Sequence, residues 1–187
     1  MRRVEVFAAI CAIAFGIAAF GQGNQNQLHL GHPPTPEQMR RWGITVLPDG
    51  TGLPAGSGTA AEGQIVYADK CSGCHGDHGE GREPLGMRLV GGFGTLRDEN
   101  PVLTVGSYWP YATTVWDYIY RAMPYAQPGT LTAKQAYSLT AYLLYMNKII
   151  GRNDVMNRKT LAKVRMPNRD GFVPDPRPDV SCPQNKK

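Results

Sequence analysis

The pentapeptide Cys71-Ser72-Gly73-Cys74-His75 constrains this chain more than any other feature. The Cys-x-x-Cys-His spacing is the attachment signature of a c-type haem, in which both thiols add to the porphyrin vinyl groups and the imidazole reaches the iron. One helical turn places both sulfurs under one edge of the ring and the imidazole beneath its centre. We therefore predict one covalently bound haem c, attached through Cys71 and Cys74, with His75 as an iron ligand.

Three other interpretations of the two cysteines are a structural disulfide, a thioredoxin-like redox pair and half of a zinc site. A thioredoxin-like pair needs strands around it, and a zinc site needs a second ligand pair at suitable spacing. The sequence carries neither signal, so haem attachment is favoured.

A low-spin haem that only carries electrons needs a second axial ligand, and a thioether raises its potential relative to a second histidine. We predict Met123, which precedes Pro124 and lies 48 residues beyond His75, far enough for the chain to pass over the opposite haem face. The alternatives are Met87, Met146, Met156, Met166 and His78.

The first 21 residues are predicted to be a cleaved secretory signal peptide. Arg2 and Arg3 precede the apolar run from Val6 to Phe20, and small residues at Ala19 and Gly21 lead into a polar segment. An uncleaved anchor is less favoured, because an apolar run of about 15 residues is shorter than the roughly 20 that span a bilayer. We expect a periplasmic protein without a stable membrane span.

Composition divides the remaining residues into a Pro/Gly-rich arm (22–57), a haem domain (58–150) and a basic, Pro-rich extension (151–187). Residues 22–147 contain 8 Lys/Arg and 10 Asp/Glu, whereas residues 148–187 contain 10 and 4. The overall formal charge of +5 is mild, and the chain has no phosphate-binding loop or dinucleotide fingerprint. Nucleic-acid binding is therefore not expected.

Three helices are predicted in the haem domain. The first is capped by Thr59 and runs to about Lys70, with Ile65, Val66 and Tyr67 on its buried side. The others cover 113–122, and 137–147 behind the capping box of Thr132 and Gln135. Shorter helices are possible at 36–42 and 157–164. Three helices without strand signals predict an all-α core.

The order of these parts resembles class I cytochrome c: a helix, Cys-x-x-Cys-His, a long loop, a methionine-bearing loop and a terminal helix. Gly63 and Tyr67 fall where that family has a small residue and an aromatic residue that cross the last helix near Tyr142. The resemblance implies a three-helix haem core with long irregular N- and C-terminal extensions.

A closer resemblance covers most of the predicted mature chain. The chain is similar to the cytochrome c subunit of sulfur dehydrogenase in the Sox sulfur-oxidation pathway, and to the haem subunits of sulfite dehydrogenases. The segments that carry this resemblance are 42–44, 48–54, 56–58, 106–111, 116–118, 121–124, 137–144 and 166–172.

This resemblance implies that His75 and Met123 ligate the iron, and that the chain docks on a molybdenum-cofactor subunit of the sulfite oxidase type. It would accept electrons from that subunit after sulfur oxidation and pass them to a soluble cytochrome c, with no catalysis of its own. Two alternatives remain, namely a free-standing periplasmic electron shuttle and a five-coordinate haem protein that binds a gas.

Other residues carry weaker expectations. Tyr108, Trp109 and Tyr111 either bond a haem propionate or pack within their loop. Arg121 is expected to face solvent, and the basic extension to contact an acidic partner surface or to form a mobile end. Cys182 is left as a free thiol or an intermolecular bridge.

Overall fold

The computed structural model describes residues 31–43 and 45–174. The predicted signal peptide and residues 175–187 of the extension, with Cys182, therefore lie outside the described residues. The described residues 31–43 belong to a separate unit, in which helix α1 (Pro36–Trp42) is capped reciprocally by Thr35 and Gln38. The short helix expected at this position is confirmed.

The second unit is built on the crossing of helix α2 (Ala60–Lys70) with helix α5 (Ala133–Met146). Both helices begin with the predicted capping boxes, at Thr59 and Thr132. Gly63 lies at the crossing, where an added Cβ would come within 2.8 Å of the Cβ of Tyr142 and closer still to the backbone of α5. The absence of a side chain therefore sets the distance between the two helices.

Helix α4 (Ala112–Ala122) packs on the same helix α5. Its Trp116 is fully buried, with its ring 5.3 Å from that of Tyr137 on α5. The one-turn helix α3 (Ser72–His75) and two short 3-10 helices, Thr95–Arg97 and Leu161–Lys163, complete the helical elements of the described residues. The predicted all-α fold is confirmed.

The expected buried side of α2 is corrected at Ile65. This side chain is 74% exposed, whereas Tyr67 is 2% exposed and packs on Tyr142 with ring centroids 5.2 Å apart. At about 100° per residue, Ile65 lies on the opposite side of the helix from Gly63, which faces α5. Val66 is half-buried between these two directions.

The described part of the C-terminal extension is folded against the helices. Strand β2 (Met156–Asn157) pairs antiparallel with β1 (Ser57–Gly58), a pairing that the sequence did not signal. Met156, Leu161 and Met166 are buried in the same hydrophobic core as the helices. The helix expected at 157–164 is limited to the 3-10 turn Leu161–Lys163. Within the described residues, no helix is both long and apolar enough to cross a membrane.

Candidate functional site

The pentapeptide forms the helical turn that haem attachment requires. Cys71 is the C-cap residue of α2, and α3 begins at the next residue. The Cys71 carbonyl accepts hydrogen bonds from the backbone N–H groups of Cys74 and His75, at 3.1 and 2.9 Å. The two thiols and the imidazole are therefore placed by a single turn of backbone.

Both cysteines are free thiols in the structure. Cys71 is half-buried and Cys74 is exposed. Burial raises the pKa of the Cys71 thiol to about 11, so this group is protonated at neutral pH. The attacking cysteine of a thioredoxin-like pair has a lowered pKa instead. The environment of Cys71 therefore does not match the thioredoxin-like interpretation.

The imidazole of His75 is oriented by a backbone carbonyl. Its Nδ1 lies 2.8 Å from the carbonyl oxygen of Met87. Because a carbonyl only accepts hydrogen bonds, Nδ1 carries the proton and Nε2 keeps a free lone pair. This is the arrangement by which proteins fix the tautomer and ring direction of a metal-binding histidine.

The loop that follows His75 is fixed by two side chains. Tyr67, buried on α2, donates its hydroxyl hydrogen to the carbonyl of Gly76 at 2.8 Å. The carboxylate of Glu80 accepts the backbone N–H of His78 at 2.8 Å, and backbone hydrogen bonds lower the pKa of Glu80. The segment after the pentapeptide is therefore held by one hydrogen bond from α2 and by one within the loop.

Asn147 is a site residue that sequence reasoning missed. Its buried side chain donates from Nδ2 to the carbonyl of Leu89, and accepts at Oδ1 from the N–H of Gly91, both at 3.1 Å. These bonds tie the segment that carries the Met87 carbonyl to the end of α5. No local pattern could have revealed this role, since the contacts span 56 and 58 residues.

The candidates for a second axial ligand occupy different environments. Met123 directly follows α4, where it is half-buried and its N–H bonds the carbonyl of Ile119. Met156 and Met166 are packed in the core, and Met146 is half-buried against it. Met87 is 70% exposed, and its backbone lies at the Nδ1 side of His75.

The aromatic residues of the 108–111 loop contact protein groups. Tyr108 packs edge-on against Phe172 of the extension, and Tyr111 lies beneath the guanidinium of Arg169. Trp109 packs against Tyr118. All three rings thus pack on groups outside their own loop, and the bond to a haem propionate stays a prediction. Separately, Arg121 is exposed to solvent, as expected, and pairs with Asp117 within α4.

The donor set fits a covalently attached haem. Two thiols, a histidine with a free Nε2 and a methionine are the groups that such a haem uses. Among the described residues, one buried polar side-chain atom lacks a partner, the indole N–H of Trp116 on α4, seven residues before Met123. The described residues contain no cluster of three or more His, Cys, Asp or Glu arranged to hold a metal ion.

Comparisons with known proteins agree with this chemistry. Residues 58–143 match the family model described as cytochrome c oxidase, cbb3-type, subunit III. The chain is also similar to the crystal structure of the sulfane dehydrogenase SoxCD from Paracoccus pantotrophus. The identity is 43% and the TM-score 0.74, covering 86% of this chain and 79% of that one. A search among curated protein sequences found no match.

Proposed function

Because this chain belongs to the cytochrome c family shared with that dehydrogenase structure, we propose that it is the monohaem, electron-accepting subunit of a periplasmic molybdenum-dependent sulfur-compound dehydrogenase. The observation that most directly supports a haem site is the hydrogen bond from His75 Nδ1 to the Met87 carbonyl. It leaves Nε2 as the one imidazole nitrogen able to ligate iron. A covalently bound haem supplies one-electron transfer.

The chain's own residues give that haem its environment. Cys71 and Cys74 would hold the haem through thioether links, and His75 would ligate its iron. We assign Met123 as the second iron ligand, because Met156 and Met166 fill the core and the Met87 backbone is held at the Nδ1 side of His75. A histidine and a methionine together leave no open position for substrate, so electron transfer is outer-sphere and bond chemistry belongs to the partner.

The SoxCD likeness supports a molybdenum-bearing catalytic partner, and the sulfur chemistry is inferred from it. The chain would accept electrons one at a time from that partner and pass them to a soluble cytochrome c. Export to the periplasm is supported by the N-terminal signal pattern and by the haem-attachment motif.

The ligand assignment is tested by Met123→Ala, with Met87→Ala as the matched control. We expect Met123→Ala to change the haem absorption spectrum and lower the reduction potential, because thioether ligation raises it. Met87→Ala keeps the carbonyl that bonds His75 and should leave both unchanged. An unaltered spectrum and potential in Met123→Ala would show that another group ligates, or that the iron is five-coordinate.

The partner is tested by purifying the protein from its native organism and measuring molybdenum against haem. We expect a near-integer ratio in a stable complex whose haem is reduced by a sulfur compound. A haem protein that purifies alone, without molybdenum, would instead indicate a free-standing electron shuttle.

A further inference from the structure

A cleft of about 590 Å³ lies between the 48–50 turn and the C-terminal extension. Four cationic side chains line it, and we call this the basic cleft: Arg158, Lys159, Lys163 and Arg169. The remaining lining residues are Pro48, Asp49, Tyr111 and Ala162. Neither the haem-attachment pentapeptide nor Met123 lines it. The cleft is therefore a surface that electron transfer through the haem does not explain.

The positive charges of the basic cleft are not neutralised within the part of the chain that the structure describes. None of the four takes part in an ion pair there. The one carboxylate in the cleft, Asp49, accepts the backbone N–H of Thr51 at 2.9 Å. Nearby Asp170 is paired with Arg165 at 2.6 Å. Four cations thus line one cleft with a single carboxylate, an arrangement that an anionic partner would stabilise.

The cleft stands on folded backbone rather than on a mobile tail. Leu161 and Met166, which flank its cationic residues in sequence, are buried in the core. On the opposite wall, a Cβ added at Gly50 would lie 3.1 Å from the Cβ of Ala162, so the two walls are in close contact. The backbone that carries the charges is therefore fixed before any partner arrives, which reduces the entropy lost on binding.

The guanidinium of Arg169 is oriented so that it can bind a carboxylate. Its guanidinium carbon lies 4.3 Å from the centre of the Tyr111 ring. Stacking occupies the face of the guanidinium and leaves its N–H edge available for bidentate bonding to a carboxylate. An arginine on an aromatic ring beside apolar Pro48 and Ala162 has the composition of a protein interface.

We propose that the basic cleft is the docking surface for an acidic, carboxylate-bearing segment of the catalytic subunit. This proposal rests on the proposed function and adds to it the surface by which the two chains recognise each other. Charge complementarity selects the occupant, because the cleft combines four cations with an aromatic and apolar floor suited to a polypeptide rather than to a free ion.

The test compares two double variants of the full chain, each expressed in the native organism in place of the wild type. Lys159→Glu with Lys163→Glu reverses charge in the basic cleft. Lys148→Glu with Arg152→Glu makes the same change in net charge outside it. Absorption of the haem and circular dichroism verify that both variants are folded and loaded, and molybdenum per haem is then measured after purification at low and high salt.

We expect the cleft variant to lose molybdenum per haem by on the order of tenfold or more, because close charge pairs at interfaces couple strongly. The control variant should retain the wild-type ratio, and the wild-type complex should weaken as salt increases. Equal retention by wild type and cleft variant would overturn the docking surface while leaving the proposed function intact. A wild-type protein without molybdenum would overturn the proposed function and this surface with it.

The same variants distinguish a small-anion site. Isothermal titration of the purified wild-type protein with inorganic sulfate should show no binding that depends on Lys159 and Lys163. Sulfate binding that disappears in the cleft variant, with molybdenum retention unchanged, would reassign the cleft to a free anion and overturn the proposal.

Discussion

Replacing Asn147 with leucine should separate the segment that orients His75 from helix α5. The substitution keeps the branched shape and the number of heavy atoms of the buried side chain and removes its amide. It therefore breaks the bonds to Leu89 and Gly91, both 3.1 Å long, without opening a large cavity. A third bond, to the carbonyl of Leu143, is also lost, but the backbone N–H of residue 147 still bonds that oxygen.

The cost follows from the groups left without partners. The N–H of Gly91 and the carbonyl of Leu89 are half-buried, so water replaces their lost bonds only in part. An orphaned buried group costs about 1–3 kcal/mol, and partial hydration places this pair toward the lower end. We expect Asn147→Leu to reduce the free energy of unfolding by about 2–3 kcal/mol, measured by guanidinium denaturation of the haem-loaded protein.

A second measurement follows the effect to the haem. The Met87 carbonyl lies two residues before Leu89, so a looser segment weakens its hydrogen bond to His75 Nδ1. In the proposed haem site, that bond would raise the basicity of the imidazole and so stabilise the oxidised iron. We therefore expect the reduction potential of Asn147→Leu to rise above that of the wild type.

The control is Thr140→Val, a fully buried site on the same helix. The Thr140 hydroxyl donates to the carbonyl of Ala136 within α5 and makes no hydrogen bond to the 87–91 segment. This variant should lose some stability without a change in potential. The reasoning is refuted if Asn147→Leu is no less stable than Thr140→Val, or if its potential equals that of the wild type.

Three further predictions concern α2. Gly63→Ala should destabilise the protein by about 1–3 kcal/mol through overpacking against α5, although alanine favours a helix by about 1 kcal/mol. The exposed Ala68→Gly measures that propensity separately. Tyr67→Phe should cost about 1–2 kcal/mol in denaturation, because the buried carbonyl of Gly76 loses its donor. A hydrogen bond with the Lys134 side chain and a second from the backbone N–H of Thr59 lower the pKa of the Glu62 carboxyl. The stability it contributes is therefore present above its ordinary pKa of 4.5 and is lost as pH falls through the lower folded value. The stability difference between wild type and Glu62→Gln, followed by thermal unfolding from pH 7 to 3, should shrink toward the acid end; a constant difference would contradict this.

Much of the site was accessible from sequence because its chemistry is local. The pentapeptide spans five residues, and a helical turn alone brings its functional groups together. The capping boxes at Thr59 and Thr132 each join residues three apart, so the helix starts were predicted from the same kind of short pattern. The position of Met123 at the end of α4 followed from the proline beside it.

Other predictions were wrong or stayed open at positions where tertiary packing determines which side chains are buried. Ile65 was expected in the core, but hydrophobicity alone does not choose which side of α2 faces α5, and Gly63 makes that choice. The extension was expected to be irregular, with a mobile end as one interpretation. Its described part instead adds Met156, Leu161 and Met166 to the core, because three spaced apolar side chains are enough to anchor an irregular segment.

The sequence by itself determined the cofactor chemistry, the helical fold class and the helix starts, since each depends on residues within a few positions of one another. Only the tertiary structure decided which carbonyl orients His75, which amide holds that carbonyl in place, and which cations gather in the basic cleft. The physical reason is that the first two contacts join residues 12 and 56–58 positions apart, and that the cleft unites residues 48–49 and 111 with the C-terminal extension. Two of them use backbone atoms, which every residue possesses and which therefore leave no mark in the order of side chains.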